Sequence, residues 1–256
     1  MKKIVSPILV ALTLSAAAGA MAQTAAPAEP ASSLSFNVGA VSDYRYRGIS
    51  QSRKEAALQG GVDYADKSGF YVGAWGSTIK WITDTAGVTS GNTELDLYGG
   101  YKGAVGDVAY DVGFLRYEYP SNTYKNATAG GVNANTNEVY GAVTYGVVTA
   151  KYSHAISDIF GNINSKNSYY LDLSAALDLG DGYSLTPHVG RQMIKNTAIC
   201  SYNDFSVTLG KDLGNGLSAS LMAVTTNAET ACASYLTPAG KLNGGSGLVA
   251  GVKYAF

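Results

Sequence analysis

The last nine residues, Leu248-Val249-Ala250-Gly251-Val252-Lys253-Tyr254-Ala255-Phe256, constrain the fold more than any other stretch of the chain. In a strand of period two, Leu248, Ala250, Val252, Tyr254 and Phe256 share one face while Lys253 points to the other. One surface then suits hydrocarbon and the opposite one water. A terminal strand of this kind, closed by an aromatic residue, is how a transmembrane β-barrel ends. A half-buried strand of a soluble sheet shows the same alternation, so the rest of the chain has to separate the two.

The amino terminus favours export. Lys2 and Lys3 precede a largely apolar run from Ile4 to Gly19, and Ala20-Met21-Ala22 follows as an A-x-A cleavage site, so residues 1–22 read as a signal peptide. Pro7 interrupts the run, and the Pro/Ala-rich segment 23–32 lacks a stop-transfer flank, which argues against a retained membrane helix. Although 46% of the residues are hydrophobic, no later stretch reaches the roughly 18 unbroken apolar residues of a helical span, and the mean hydropathy is only +0.01. Residues 33–256 show no shift in composition or charge run, and read as one domain.

Composition narrows the class. With 31 Gly, 19 Tyr and only 14% charged residues, the chain favours many strands, tight turns and interfacial aromatics. The formal net charge is -1, and loss of Lys2 and Lys3 makes it more negative. A basic footprint for nucleic acid is missing, and that partner is set aside.

Twelve strands are predicted: Ser33 to Tyr46, Ala56 to Ala65, Gly69 to Lys80, Thr93 to Lys102, Asp107 to Tyr119, Asn137 to Tyr145, Val147 to Ile156, Ser168 to Leu179, Tyr183 to Met193, Tyr202 to Leu213, Leu217 to Thr226 and Ser246 to Phe256. Their connections alternate short and long, as an all-β, antiparallel transmembrane barrel with short periplasmic turns and long outer loops requires. The short set is Asp66 to Ser68, Gly103 to Gly106, the turn at Gly146, Gly180 to Gly182 and Gly214 to Gly216, rich in residues that tolerate positive φ. Within strands, Leu95, Leu97 and Tyr101 oppose Glu94, Asp96, Tyr98 and Lys102. Likewise Leu171, Leu173, Ala175, Leu177 and Leu179 oppose Asp172, Ser174 and Asp178. An unpaired carboxylate in hydrocarbon costs several kcal/mol, so the charged face should look into the lumen.

Ser42-Asp43-Tyr44-Arg45-Tyr46-Arg47-Gly48-Ile49-Ser50-Gln51 is a distinctive block, followed by Ala57 to Tyr64, Gly69 to Ser77, Glu94 to Tyr101, Tyr110 to Phe114 and Tyr117-Glu118-Tyr119-Pro120. In these segments the chain resembles the TorF-like porins of proteobacterial outer membranes, more weakly from Ser121 onward. The resemblance implies an outer-membrane barrel acting as a passive channel, and brings no catalytic residues.

Read on its own, the first block continues the first strand. Tyr44 and Tyr46 are then expected on the lipid side near the outer interface, with Asp43, Arg45 and Arg47 pointing inward. Two guanidiniums facing Asp63, Glu94, Asp96 and Asp111 would form a constriction whose field orients polar solutes. The same residues would equally serve as an ion-pair network bracing the wall, and both roles stay open. Acids exceed bases among the expected inward charges, which leans toward cations or neutral solutes.

The other chemistry is sparse. His154 and His188 have no ligand spacing around them, and no metal or other cofactor is called for. A lipid hydrolase on the barrel wall would need a serine, a histidine and an orienting group together; no such motif is present, and an enzyme is not expected. Cys200 and Cys232 fall in the fifth and sixth long loops, on one side of an oxidising compartment, and are expected to form a disulfide worth roughly 3 kcal/mol. The aromatics Tyr101, Tyr119, Tyr254 and Phe256 are expected in interfacial girdles, ahead of a sugar-stacking use of Trp75, Trp81 or the tyrosines. The expected partners are outer-membrane lipid, small polar solutes and the barrel-assembly machinery, the last through the C-terminal strand and Phe256. An occluded structural or surface-interaction barrel is the alternative to a channel.

Overall fold

A computed structural model describes residues 32–127 and 130–256. The expected signal peptide and nearly all of the linker lie outside them. Twelve antiparallel strands follow one another around a closed ring: β1 Ser33–Val41, β2 Ala57–Ala65, β3 Phe70–Thr78, β4 Thr93–Val105, β5 Val108–Glu118, β6 Thr136–Tyr145, β7 Val148–Ala155, β8 Tyr169–Ala175 with its continuation Leu177–Gly180, β9 Tyr183–Met193, β10 Tyr202–Gly214, β11 Leu217–Thr226 and β12 Gly247–Ala255. Each strand pairs with its neighbours in sequence, and β1 pairs with β12 from Asn37↔Ala255 to Val41↔Gly251. Closure leaves no strand edge unpaired.

Phe256 sits on that seam. Its backbone exchanges two hydrogen bonds with Phe36, at 2.8 and 3.0 Å. Its ring stacks on Phe36 at 5.7 Å and on Tyr254 at 5.5 Å. The terminal aromatic thus extends the closing ladder beyond the last assigned strand residue.

The period-two pattern explains the two surfaces. Leu34, Leu58, Val72, Val143, Leu173 and Leu248 stand exposed on the outside, too large a belt of apolar side chains for water and matched to hydrocarbon. Tyr64, Phe70, Tyr145, Tyr183, Tyr254 and Phe256 ring the short-turn end, as an interfacial girdle would. Tyr101 joins them, edge-on to Phe70 at 5.0 Å. Tyr119 does not: it is 1% exposed and packs inside against Trp81.

The short turns are tighter than the sequence implies, because strand pairing runs on to the last residues that can sustain it. β4 and β5 pair down to Val105↔Val108. At the β10–β11 turn, Asn215 and Gly216 both take positive φ, 53° and 82°, the geometry of a two-residue hairpin that matches strand twist. In the β2–β3 turn the Asp66 carboxylate accepts hydrogen bonds from the Ser68 backbone N–H and from the Ser68 and Ser32 hydroxyls. These donors hold its pKa below the ordinary 3.8. Their contribution is therefore present above that value and fades as pH falls through the lowered one.

The largest departure from expectation is at β1. Its ladder stops at Val41, and Ser42 closes it with an N–H bond to the Ala250 carbonyl at 2.8 Å. Residues 42–56 then turn into the barrel as a loop with a two-rung ladder, Arg45↔Ser50 and Tyr46↔Ile49. Tyr44, expected against lipid, is 1% exposed in the interior, and Tyr46 lies beside it against Tyr117. Alternation is real in this segment, but both of its faces are covered by the lumen wall.

Candidate functional site

The inward wall from β2 to β7 carries tyrosines, acids and lysines at mid-height. Tyr98 donates to Asp63 Oδ1 at 2.5 Å, Tyr71 donates to Asp111 Oδ1 at 2.6 Å, and Tyr71 also meets the Tyr140 hydroxyl. The ammonium of Lys102 lies over the Tyr71 ring at 4.5 Å, and that of Lys151 over the Tyr140 ring at 4.2 Å. These rings do not stand across the bore, because each is laid against a glycine on the strand beside it. Tyr98 is directly opposite Gly73, Tyr71 opposite Gly100 and Tyr140 opposite Gly113. A Cβ on Gly73 would come within 2.5 Å of the Tyr98 ring, and one on Gly100 within 2.6 Å of the Tyr71 hydroxyl. The missing side chains make room for the rings to lie flat on the wall.

The opposite wall carries small groups toward the short turns and a buried apolar cluster of Met222, Val224 and Val249 toward the long loops. Ser206 and Thr208 on β10, Ser218 and Ser220 on β11, Gly251 on β12 and Gly39 on β1 occupy inward positions of the alternation. The lumen is thus asymmetric, with aromatic rings and most of the charge on the side of β2 to β7, and hydroxyls, glycines and this apolar cluster on the other.

Toward the long-loop end, the inserted segment 42–56 narrows this space. Arg45, 2% exposed, pairs through Nε with Asp43 at 2.5 Å. Its Nη1 donates to the carbonyls of Gly48, Asn243 and Gly245 at 2.9–3.0 Å. Asp43 also accepts from the Ser50 and Ser52 hydroxyls. Arg47 reaches across the lumen to Glu138 with both Nη atoms, at 3.1 and 2.8 Å, and to Gln192 Oε1 at 2.7 Å. Its guanidinium lies over the Tyr46 and Tyr170 rings at 4.8 and 4.3 Å. Tyr44 donates to Glu94 Oε1 at 2.5 Å. Beyond Arg47, Tyr170 donates to Asp204, and His188 bridges Asp172 at 2.7 Å and Asp204 at 3.5 Å. Among the described residues, no group of three or more His, Cys, Asp or Glu side chains is placed to hold a metal ion.

The seven residues singled out from the sequence fall in different settings. Asp63 and Asp111 belong to the tyrosine-lined wall, whereas Asp43, Arg45 and Arg47 pin the inserted loop. Glu94 and Asp96 lie beneath it, 1% and 5% exposed. The structure adds Glu138, Gln192 and Asp204, which the same alternation places inward, together with the cations Lys151 and Lys253. Within this set acids still outnumber bases. His154, at the loop end of β7, faces out and bonds to Tyr152 and Asn167.

Cys200 and Cys232 form the expected disulfide, tying loop 194–201 to loop 227–246. Both sulfurs are buried among Ile159 and Ile194, and the Cys200 carbonyl accepts from the Tyr235 hydroxyl at 2.6 Å. The bridge spans a sequence separation of 32, worth roughly 3–4 kcal/mol by loop-closure entropy. A Cys200→Ser, Cys232→Ser double variant is expected to assemble a barrel with the same strand signal by circular dichroism and to melt at lower temperature. An unchanged melting curve would show that loop packing alone sets the geometry.

A closed meander of twelve strands with an apolar exterior and a charged interior defines the class: an outer-membrane-type β-barrel of porin architecture. The KdgM porin superposes with a TM-score of 0.55 at 9% identity, over 87% of this chain and 99% of that one. The COG4313 outer membrane channel from Pseudomonas putida F1 superposes with a TM-score of 0.51 at 13% identity, over 89% and 96%. At such identities the likeness is one of fold. No curated protein matches the sequence. The chain belongs to the Gcw_chp family, described as bacterial protein of unknown function, whose profile matches residues 24–256.

Proposed function

We propose that this barrel sits in the bacterial outer membrane and lets small polar solutes diffuse passively through a charged, narrowed bore. The observation that carries the reading is the placement of the lumen tyrosines flat against inward glycines. Seated there, the rings run along the wall and their side chains stay out of the bore. The acid excess of the lumen favours cations and neutral solutes over anions. The resemblance to TorF-like porins agrees with this reading. Entry into the membrane would rely on the assembly machinery engaging β12 and Phe256.

A second reading rests on the inserted loop. Tyr44, Arg45, Ser50 and Glu94 are each at most 2% exposed, a degree of burial found in protein cores. If the loop is static, the barrel is occluded and acts through its outer loops. Swelling of proteoliposomes in isosmotic solute separates the two. A channel admits small neutral and cationic solutes faster than anions of the same size, whereas an occluded barrel leaves swelling at the rate of empty liposomes.

A further inference from the structure

Two arginines take outward positions on the wall at the long-loop end, and their surroundings differ. Arg116 on β5 is answered by the Glu118 carboxylate at 2.8 Å and by Asn137 Oδ1 at 3.2 Å. Arg191 on β9 is exposed and donates through Nη1 to Asn203 Oδ1 at 3.2 Å. The acids of the strands beside it, Asp172 on β8 and Asp204 on β10, face inward onto His188, so its charge is left uncompensated on the outer surface. The register sets Arg191 between Leu171 and Asn203, one outward step past Val189. Leu171 and Val189 are exposed members of the apolar belt. The guanidinium therefore stands where hydrocarbon gives way to head groups, a depth at which a cation on a barrel wall costs little. Tyr152, level with Leu171 on its other side, and Tyr169, one step above, meet at 5.7 Å, an aromatic pair suited to that boundary.

Two lysines carry the positive charge upward from Arg191. Ile194 is buried against the disulfide, and Lys195 after it is exposed, its backbone N–H held by Ser168 Oγ at 2.9 Å. Lys166 is exposed in loop 156–168, its backbone N–H held by Asp158 Oδ1 at 3.0 Å. Asn196 Nδ2 donates to the Asn164 carbonyl at 2.8 Å and ties the two lysine-bearing loops together above β8. We propose that this outer face of β7 to β10 binds a phosphorylated lipid of the outer leaflet, of the lipid A type. A phosphate beside Arg191 would take up the guanidinium donors that Asn203 leaves free, in a charge-assisted contact. Lys195 and Lys166 stand above it for further anionic groups of the head. Acyl chains would lie along Leu171, Val189 and Phe205, all exposed below that level. A zwitterionic head group would bring an ammonium up to these cations, and an uncharged one would leave them without a counter-charge. A soluble anion would make the polar contact and forgo the apolar one.

This inference rests on the outer-membrane reading and is independent of conduction. The refolded, disulfide-intact barrel in a non-ionic detergent is titrated with diphosphoryl lipid A, and bound lipid is followed by native mass spectrometry. Dephosphorylated lipid A and an excess of inorganic phosphate serve as comparisons. Diphosphoryl lipid A is expected to give a saturable adduct that the dephosphorylated lipid does not match and that inorganic phosphate does not displace. Arg191→Ala with Lys195→Ala should weaken it about tenfold or more, while Arg116→Ala, which removes a cation already paired, binds like the parent. If the double variant does not fold, Arg191→Gln carries the comparison, with a loss of about threefold or more. The inference is overturned if the dephosphorylated lipid binds as well, if inorganic phosphate displaces the adduct and so marks a site for free anions, if the variants bind like the parent, or if Arg116→Ala loses as much. A barrel that binds lipid A but does not conduct would sink the channel reading alone. One that conducts without binding would sink this surface alone, and recovery of the native protein from a fraction other than the outer membrane would remove the reading beneath both.

Discussion

Replacing Arg47 with alanine is expected to release the inserted loop, lower the melting temperature and enlarge the conductance. From that loop Arg47 reaches two strands of the wall, holding Glu138 with two hydrogen bonds and Gln192 with a third. Glu138 is 1% exposed and also accepts from the Tyr117 hydroxyl at 3.2 Å. Removing one member of a buried pair costs about 3–5 kcal/mol, since the remaining charge is stranded. Local unfolding of the loop, which rehydrates Glu138, is the cheapest response the structure has. Arg47→Lys should recover only part of the loss, because an ammonium keeps the charge but neither the two-pronged contact nor the stacking on Tyr46 and Tyr170. Thermal melts followed by circular dichroism, beside single-channel recordings, check both halves. Equal stability and equal conductance in Arg47→Ala would mean that the loop is held by Arg45 and its carbonyl partners instead.

The second large effect has the opposite sign. Gly73→Val should push the Tyr98 ring off the wall and into the bore, reducing conductance severalfold. The atoms a Cβ at Gly73 would meet are side-chain atoms, the Tyr98 ring at 2.5 and 2.6 Å and Asp63 Oδ1 at 2.7 Å. The side chains must therefore move, while the backbone can stay. Overpacking of this kind costs about 1–3 kcal/mol, which a closed barrel with a continuous ladder can absorb. The double variant Gly73→Val, Tyr98→Ala should restore conductance, since the ring that blocks the path is gone. Failure of that rescue would show that the wall itself had been distorted.

Much of this architecture was legible because a barrel writes its two faces into alternate residues. Strand number, the order of short and long connections, the inward set from Asp63 to Asp111 and the disulfide all follow from local pattern and compartment. The fate of residues 42–56 did not. Asp43-Tyr44-Arg45-Tyr46-Arg47 alternates as a wall strand would, and only contacts distant in sequence, from Asn243, Gly245, Glu138 and Gln192, draw it inside. Tyr119 misled for the same reason: an aromatic at a strand end reads as a girdle residue until the packing of Trp81 against it is known. Glu138 and Asp204 lie on the inward alternation of β6 and β10 and are legible from it. The glycine seats of the tyrosines depend on register between strands, which no single strand carries.

The most direct test of the account is single-channel recording of the mature, refolded barrel in a planar bilayer under a salt gradient. Discrete, stable steps with a reversal potential on the cation-selective side are the predicted result, reflecting an open path lined by more acids than bases. A folded barrel that shows no steps, or steps that select anions, would contradict it.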